Sequence, residues 1–185
     1  ISVLTGMIER TSGRATIDGY DTKTQMREIR AGLGICPQFD VLWPTLTVRE
    51  HLQLYAAFAG MQKEDVEREL KQVVEEVALT EKIDANSKDL SGGMKRKLSL
   101  AIAFIGSPSV VFLDEPTSGM DPYSRRFTWD VIRKRAANCT VLLTTHFLDE
   151  ADLLSDRIGI MSHGKLLCEG SSLFLKHRFG AGYNL

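Results

Sequence analysis

Four consecutive apolar residues, Val110-Val111-Phe112-Leu113, run straight into Asp114-Glu115-Pro116. A short apolar run without alternation has no solvent face, so it predicts a strand buried on both sides, as in the middle of a parallel sheet. Parallel neighbours need crossover connections, usually helices. The chain is thereby restricted to α/β architectures. Thr140-Val141-Leu142-Leu143-Thr144-Thr145 reads as a second buried strand ending at His146, and Leu33-Gly34-Ile35-Cys36 as another, closed by Pro37-Gln38.

Helical patterns fill the intervals. Ile1, Leu4 and Ile8 share a helical face, which predicts a chain that starts inside a helix and leaves it by Thr11-Ser12-Gly13. Ala15 to Gly19 reads as a short strand and turn. Thr47-Val48-Arg49-Glu50 has capping-box spacing and opens a helix to about Gly60. Val66, Leu70, Val73, Val74 and Val77 keep a 3.6-residue period among charges, and Leu98, Ile102 and Ile105 continue a helix begun after Ser91-Gly92-Gly93. Phe127 to Ala137 and Leu148 to Leu154 read as helices. Arg157 to Met161 and Lys165 to Cys168 read as a hairpin across Ser162-His163-Gly164. The expected layout is an α/β core from residues 1–46 and 107–185, with 47–106 as a lateral helical subdomain.

Composition narrows the function. With 185 residues, a net charge of −1 and 25% charged residues, the composition gives no hint of a nucleic-acid-binding surface, and no nucleic-acid partner is expected. Its longest uncharged run, Leu98 to Leu113, is broken by Gly106 and Pro108 and is too short for a membrane span. Residues from Ile1 onward lack the plan of a signal peptide. Cys36, Cys139 and Cys168 are scattered without a CxxC, which suits reduced thiols rather than a disulfide framework or zinc site.

Asp114 and Glu115 follow a buried strand at its C-terminal end, where open α/β sheets bind ligands. Two carboxylates there suit a hard cation held beside phosphate, with one acid free to act on water, or they merely cap the next turn. Gln38 also follows a strand and can give an amide oxygen to a metal or hold water. His146 ends the next strand and either meets a phosphate or is an ordinary histidine; His51, His163 and His177 are read as ordinary. Ser91-Gly92-Gly93 is either an anion-binding helix start or a simple serine cap. Lys95, Arg96 and Lys97 stand where the macrodipole is already positive. They face solvent or the helical subdomain, or add to a field that awaits an anion.

The order and spacing of Gln38, Leu90-Ser91-Gly92-Gly93, Val110 to Glu115, Ser118-Gly119-Met120-Asp121 and His146 resemble the nucleotide-binding domain of an ABC transporter. The resemblance implies a P-loop NTPase-like fold, with ATP as substrate and Mg²⁺ as cofactor. It makes Gln38 a metal-touching glutamine, Asp114 the metal-side aspartate, Glu115 the catalytic glutamate and His146 the γ-phosphate histidine. It assigns Ser91, Gly92 and Gly93 to a signature contacting ATP on a second nucleotide-binding domain in trans, and Asp121 to that dimer interface. Transmembrane domains of the same polypeptide are implied as partners, which puts the domain on the cytoplasmic face of a membrane.

Cys36 to Asp40, Leu90 to Lys97, Pro122 to Arg126 and the tail from Gly170 through Phe179-Gly180-Ala181-Gly182-Tyr183 resemble subfamily A, many of whose members move lipids, and more its first domain than its second. No G-x-x-x-x-G-K-[ST] occurs, and Ile1 to Gly6 resembles the helix that follows that loop. The expectation is therefore an N-terminally truncated fragment that is inactive in isolation. An ABC ATPase of a non-transport system, or a regulatory half with little turnover, is the other reading. Gln38 and Leu90 are too close for the coiled coil of DNA-repair members, and Glu115 with His146 opposes the second alternative.

Overall fold

A computed structural model describes residues 1–179. The expected tail residues Gly180 to Tyr183 lie outside them. Ile1 to Gly6 form one helical turn rather than the expected longer helix. The turn closes on Gly6 at φ 70°, with Met7 N–H donating to the Ser2 carbonyl and Gly6 N–H to Val3. That is a Schellman pattern, in which a left-handed glycine stops the helix and satisfies its last carbonyls. A small antiparallel pair follows, β1 (Thr16–Ile17) and β2 (Tyr20–Asp21), and then α1 (Met26–Ala31), whose short pattern the sequence reading did not pick out.

Next comes β3 (Leu33–Cys36), with the bounds expected from its apolar run. Three helices come next: α2 (Val48–Phe58), α3 (Lys63–Glu76) and α4 (Gly92–Phe104). The capping box at α2 is formed in both directions, Thr47 taking the Glu50 N–H and Glu50 taking the Thr47 N–H. Glu64 and Asp65 in the first turn of α3 complement its dipole. α2 packs on α3 and α4. His51 is an ordinary core residue: its Nδ1 pairs with the Thr47 carbonyl at 2.8 Å, so Nε2 is free to accept the Trp43 N–H at 2.9 Å.

β4 (Val110–Asp114) carries the run that limited the fold, and its four apolar residues are all buried. α5 (Pro122–Ala136) begins five residues before the expected Phe127, because Asp121 caps it and Pro122 suits the first turn. β5 (Thr140–Thr144) completes a parallel sheet of order β3-β4-β5, with Leu33 level with Val110 and Asp114 level with Thr144. The expectation that β5 is buried is corrected. It is the edge of this three-stranded sheet, and Leu142 is 41% exposed. Arg135 of α5 and Glu76 of α3 pair at 2.6 Å; burial raises the Glu76 pKa, but hydrogen bonds from Gln72, Lys134 and Arg135 outweigh it and hold the carboxyl low.

The chain divides into two compact units, the first ending at Thr144 and the second starting at Thr145. In the second, α6 (Leu148–Leu154) is followed by β6 (Ile158–Ser162), β7 (Lys165–Gly170) and α7 (Ser172–Phe179). β6 and β7 form the expected hairpin, whose turn residues His163 and Gly164 both take positive φ, as a two-residue type I′ turn requires. Lys176 of α7 grips Asp152 of α6 at 2.7 Å and holds its carboxyl below the usual range.

In the first unit α4 lies across β3 and β4. Its approach is so close that a Cβ on Gly34 would stand 1.9 Å from the Ala103 carbonyl oxygen. Gly34→Ala therefore forces α4 off the sheet. The expected cost is about 3 kcal/mol and a fall in Tm of roughly 6–12 °C. An unchanged melting curve would contradict this packing.

Candidate functional site

The loops that leave β3 and β4 meet the start of α4. Gln38, Phe39 and Asp40 line a cleft of about 250 Å³ together with Gly92, Gly93, Arg96, Ser118, Gly119 and Met120. Three separated stretches singled out in the sequence thus share one concave surface. At its edge the Gln38 amide donates to Glu115 Oε2 at 3.4 Å, across 77 residues of sequence. Asp114 is half-buried and accepts a short hydrogen bond from the Thr144 hydroxyl on β5.

Glu115 has φ 47°, a left-handed conformation uncommon for a residue with a side chain. Such backbone is held at a cost of about 1–3 kcal/mol and gathers at functional positions. The Glu115 N–H donates to the Thr144 carbonyl at 3.0 Å and lies 3.2 Å from the Thr144 hydroxyl. Thr144 therefore orders both carboxylate residues at once. Asp114 and Gln38 carry side-chain oxygens of the kind Mg²⁺ takes beside phosphate, where one or two carboxylates are joined by waters and phosphate oxygens. Among the described residues no three His, Cys, Asp or Glu side chains cluster as a metal cage.

Ser91 caps α4, its hydroxyl accepting the Met94 N–H at 3.3 Å. Accepting that bond leaves the hydroxyl proton available to donate. Gly92 and Gly93 meet no atom within 4 Å of where a Cβ would sit, so among the described residues none crowds these two positions. The three cations beside it have different surroundings. Lys97 lies over the Phe127 ring at 4.4 Å, and burial lowers its pKa while Asp121 opposes that shift. Lys95 is half-exposed. Arg96 corrects the expectation that these side chains face solvent, the subdomain or the helix start: it is 4% exposed and turned toward the loops after β3 and β4.

Asp121 caps α5, one carboxylate oxygen taking the Tyr123 and Ser124 N–H groups at 3.0 Å each. Hydrogen bonding to Ser124 and Tyr123 holds its pKa low. His146 is exposed, belongs to the second compact unit, and has its ring 4.1 Å from that of Phe147. Residues that the sequence reading did not single out for the site also hold it: Asp40, Ser99 and Thr144. Ser99 donates to Asp40 at 2.7 Å. For Ser99 the available signal was a polar residue inside the buried pattern of α4.

Known proteins share the sequence and fold of this chain. The ABC transporter family profile matches residues 1–118. The chain belongs to the ABC transporter family. Its fold is similar to a solved ATP-binding subunit of an ABC transporter, with a TM-score of 0.86 and 28% identity, over 97% of this chain and 75% of that one. All 185 residues align with ATP-binding cassette sub-family A member 2 of Homo sapiens at 54% identity, covering 8% of it. They also align at 54% identity with Phospholipid-transporting ATPase ABCA3 of Mus musculus and with ABC transporter A family member 6 of Dictyostelium discoideum, covering 11% of each. The chain thus spans about a tenth of the length of these curated relatives. No helix among the described residues is long and apolar enough to cross a membrane.

Because Thr144 serves both acidic residues, Thr144→Val removes one hydroxyl with two neighbours while keeping the side-chain shape. The expected loss is about 1–3 kcal/mol, read by denaturant unfolding, since it leaves polar groups unpaired. A loss below 0.5 kcal/mol, on the order of a neutral surface change, would show that the Asp114–Thr144 contact does not hold the site.

Proposed function

We propose that this chain is the ATP-binding and ATP-hydrolysing part of a subfamily A ABC transporter, the first of its two nucleotide-binding domains, and that it powers the movement of lipid. The observation that carries the reading is the Gln38–Glu115 contact at the end of a buried parallel strand, beside Asp114 and the uncovered start of α4. The phospholipid-transporting name of one relative supports the lipid assignment.

In this reading Glu115 takes the proton of a water whose oxygen attacks the γ-phosphorus of ATP. The bond from that phosphorus to the β–γ bridging oxygen breaks, leaving ADP and phosphate. Gln38 directs its amide at Glu115 and fixes where that carboxylate points. Asp114, fixed by Thr144, and Gln38 hold Mg²⁺, which when bound offsets the charge of the β- and γ-phosphates. His146 donates to the γ-phosphate.

The helix start at Ser91, Gly92 and Gly93 binds phosphate of an ATP carried by the second nucleotide-binding domain, where backbone N–H groups and the dipole favour an anion. Asp121 sits at that dimer interface, and residues 47–106 act as the helical subdomain facing the transmembrane domains, on the cytoplasmic side of the membrane. Hydrolysis belongs to the longer polypeptide, because the 185 residues contain no G-x-x-x-x-G-K-[ST] loop to cradle the β- and γ-phosphates.

In that polypeptide Glu115→Gln is expected to keep ATP binding and to lower steady-state phosphate release at least ~100-fold, the scale of a lost general base. Phosphate release at the normal rate would remove Glu115 from the catalytic role.

A further inference from the structure

Arg96 has no part in the mechanism proposed above, yet its surroundings are organised around that mechanism's residues. A guanidinium has five N–H groups in a fixed fork. Here each has an acceptor: Nε donates to the Pro116 carbonyl at 2.9 Å, Nη2 to Asp114 and Glu115 carbonyls at 2.7 and 2.9 Å, and Nη1 to the Pro37 carbonyl and to Asp40 Oδ1 at 3.3 Å. Three of the acceptors are consecutive carbonyls spanning the two acidic residues. The other two flank Gln38. Ser99, one turn further along α4, holds the same Asp40 oxygen.

Glu115, the middle residue of the three, has a left-handed backbone. A buried side chain serving only as filler could be apolar, since replacing a buried ion by a packed hydrophobe is often neutral. The acceptors at Arg96 instead bracket the two residues whose side chains meet at 3.4 Å. Ser91 lies five residues before Arg96 on the same rigid helix, little more than one turn.

We propose that Arg96 is a positioning residue for ATP hydrolysis. Its guanidinium sets Gln38 and Glu115 relative to each other and transmits displacement of the α4 start to both. The proposal rests on Glu115 being the general base. It predicts that nucleotide bound at the helix start of this chain alters the rate at this chain's own carboxylate, since the same helix carries both contacts.

The test uses the full-length transporter. Arg96→Lys keeps the charge but offers three donors without the planar fork, which cannot span five acceptors. The expected result is a kcat at least ~10-fold lower with KM for ATP changed less than ~3-fold, the pattern of an interaction made in the transition state. Combined with Gln38→Ala, the loss should be smaller than the product of the two single losses. Asp40→Asn, which keeps an oxygen acceptor at an exposed position, serves if Arg96→Lys does not fold; it should lower kcat at least ~3-fold beyond any loss of folded fraction.

A wild-type kcat in either folded variant overturns the proposal, as does a loss that only tracks the folded fraction. Glu115→Gln separates the two failures. If that variant still turns over, the general-base reading falls and takes this one with it. If it is inactive while Arg96→Lys is normal, only the Arg96 proposal falls.

Discussion

The guanidinium of Arg96 joins the ends of two strands to the helix that covers them. Removing a charge from water costs several kcal/mol, and only complete pairing recovers it. Completeness is what the five acceptors supply, four carbonyls and one carboxylate. Losing one partner of such a buried set typically costs about 3–5 kcal/mol. Four carbonyls of the loops after β3 and β4 turn to this guanidinium, and buried backbone groups are normally paired. One side chain thus solves a backbone problem and fixes a site geometry together.

The remaining architecture delivers the same elements to that point. β4 is buried on both faces, so its end emerges at a defined place with Asp114 level with Thr144. Gly34 lets α4 settle onto the sheet at a distance no other residue permits, which brings Arg96 within reach of the Pro37 carbonyl. Burial of Cys36, immediately before that proline, raises its thiol pKa to about 12 and keeps it neutral in a tightly packed strand end. The start of α4, in contrast, stays open, with its glycines uncovered. Rigidity below and openness above suit a helix whose first turn waits for an anion.

Much of this was legible in the sequence because the signals were local. The VVFL run fixed a parallel strand, the Thr47 to Glu50 spacing fixed a cap, and His163-Gly164 marked a hairpin, each through interactions within a few residues. The misreadings share a different origin. The first turn was extended too far because Leu4 and Ile8 keep a helical period, although Gly6 between them breaks the backbone. The exposure of β5 depends on what lies beside it in the sheet, and apolar composition does not encode that. Arg96 was not told apart from Lys95 and Lys97, because its acceptors lie at positions 37, 40 and 114–116, too remote in sequence to announce themselves. Gln38, Gly92 and Gly93 were visible as residue types in order, whereas their common cleft was not.

The central claim is that one guanidinium holds the turn after β4 in place. Amide hydrogen exchange tests it most directly, at Glu115, Ser118 and Met120, whose N–H groups bond to Thr144, Glu115 and Thr117 carbonyls. In Arg96→Lys these three should exchange at least ~10-fold faster, while amides in the middle of α3 keep their protection, since opening here is local rather than global. Unchanged exchange at the three, or an equal acceleration throughout the chain, would contradict the account.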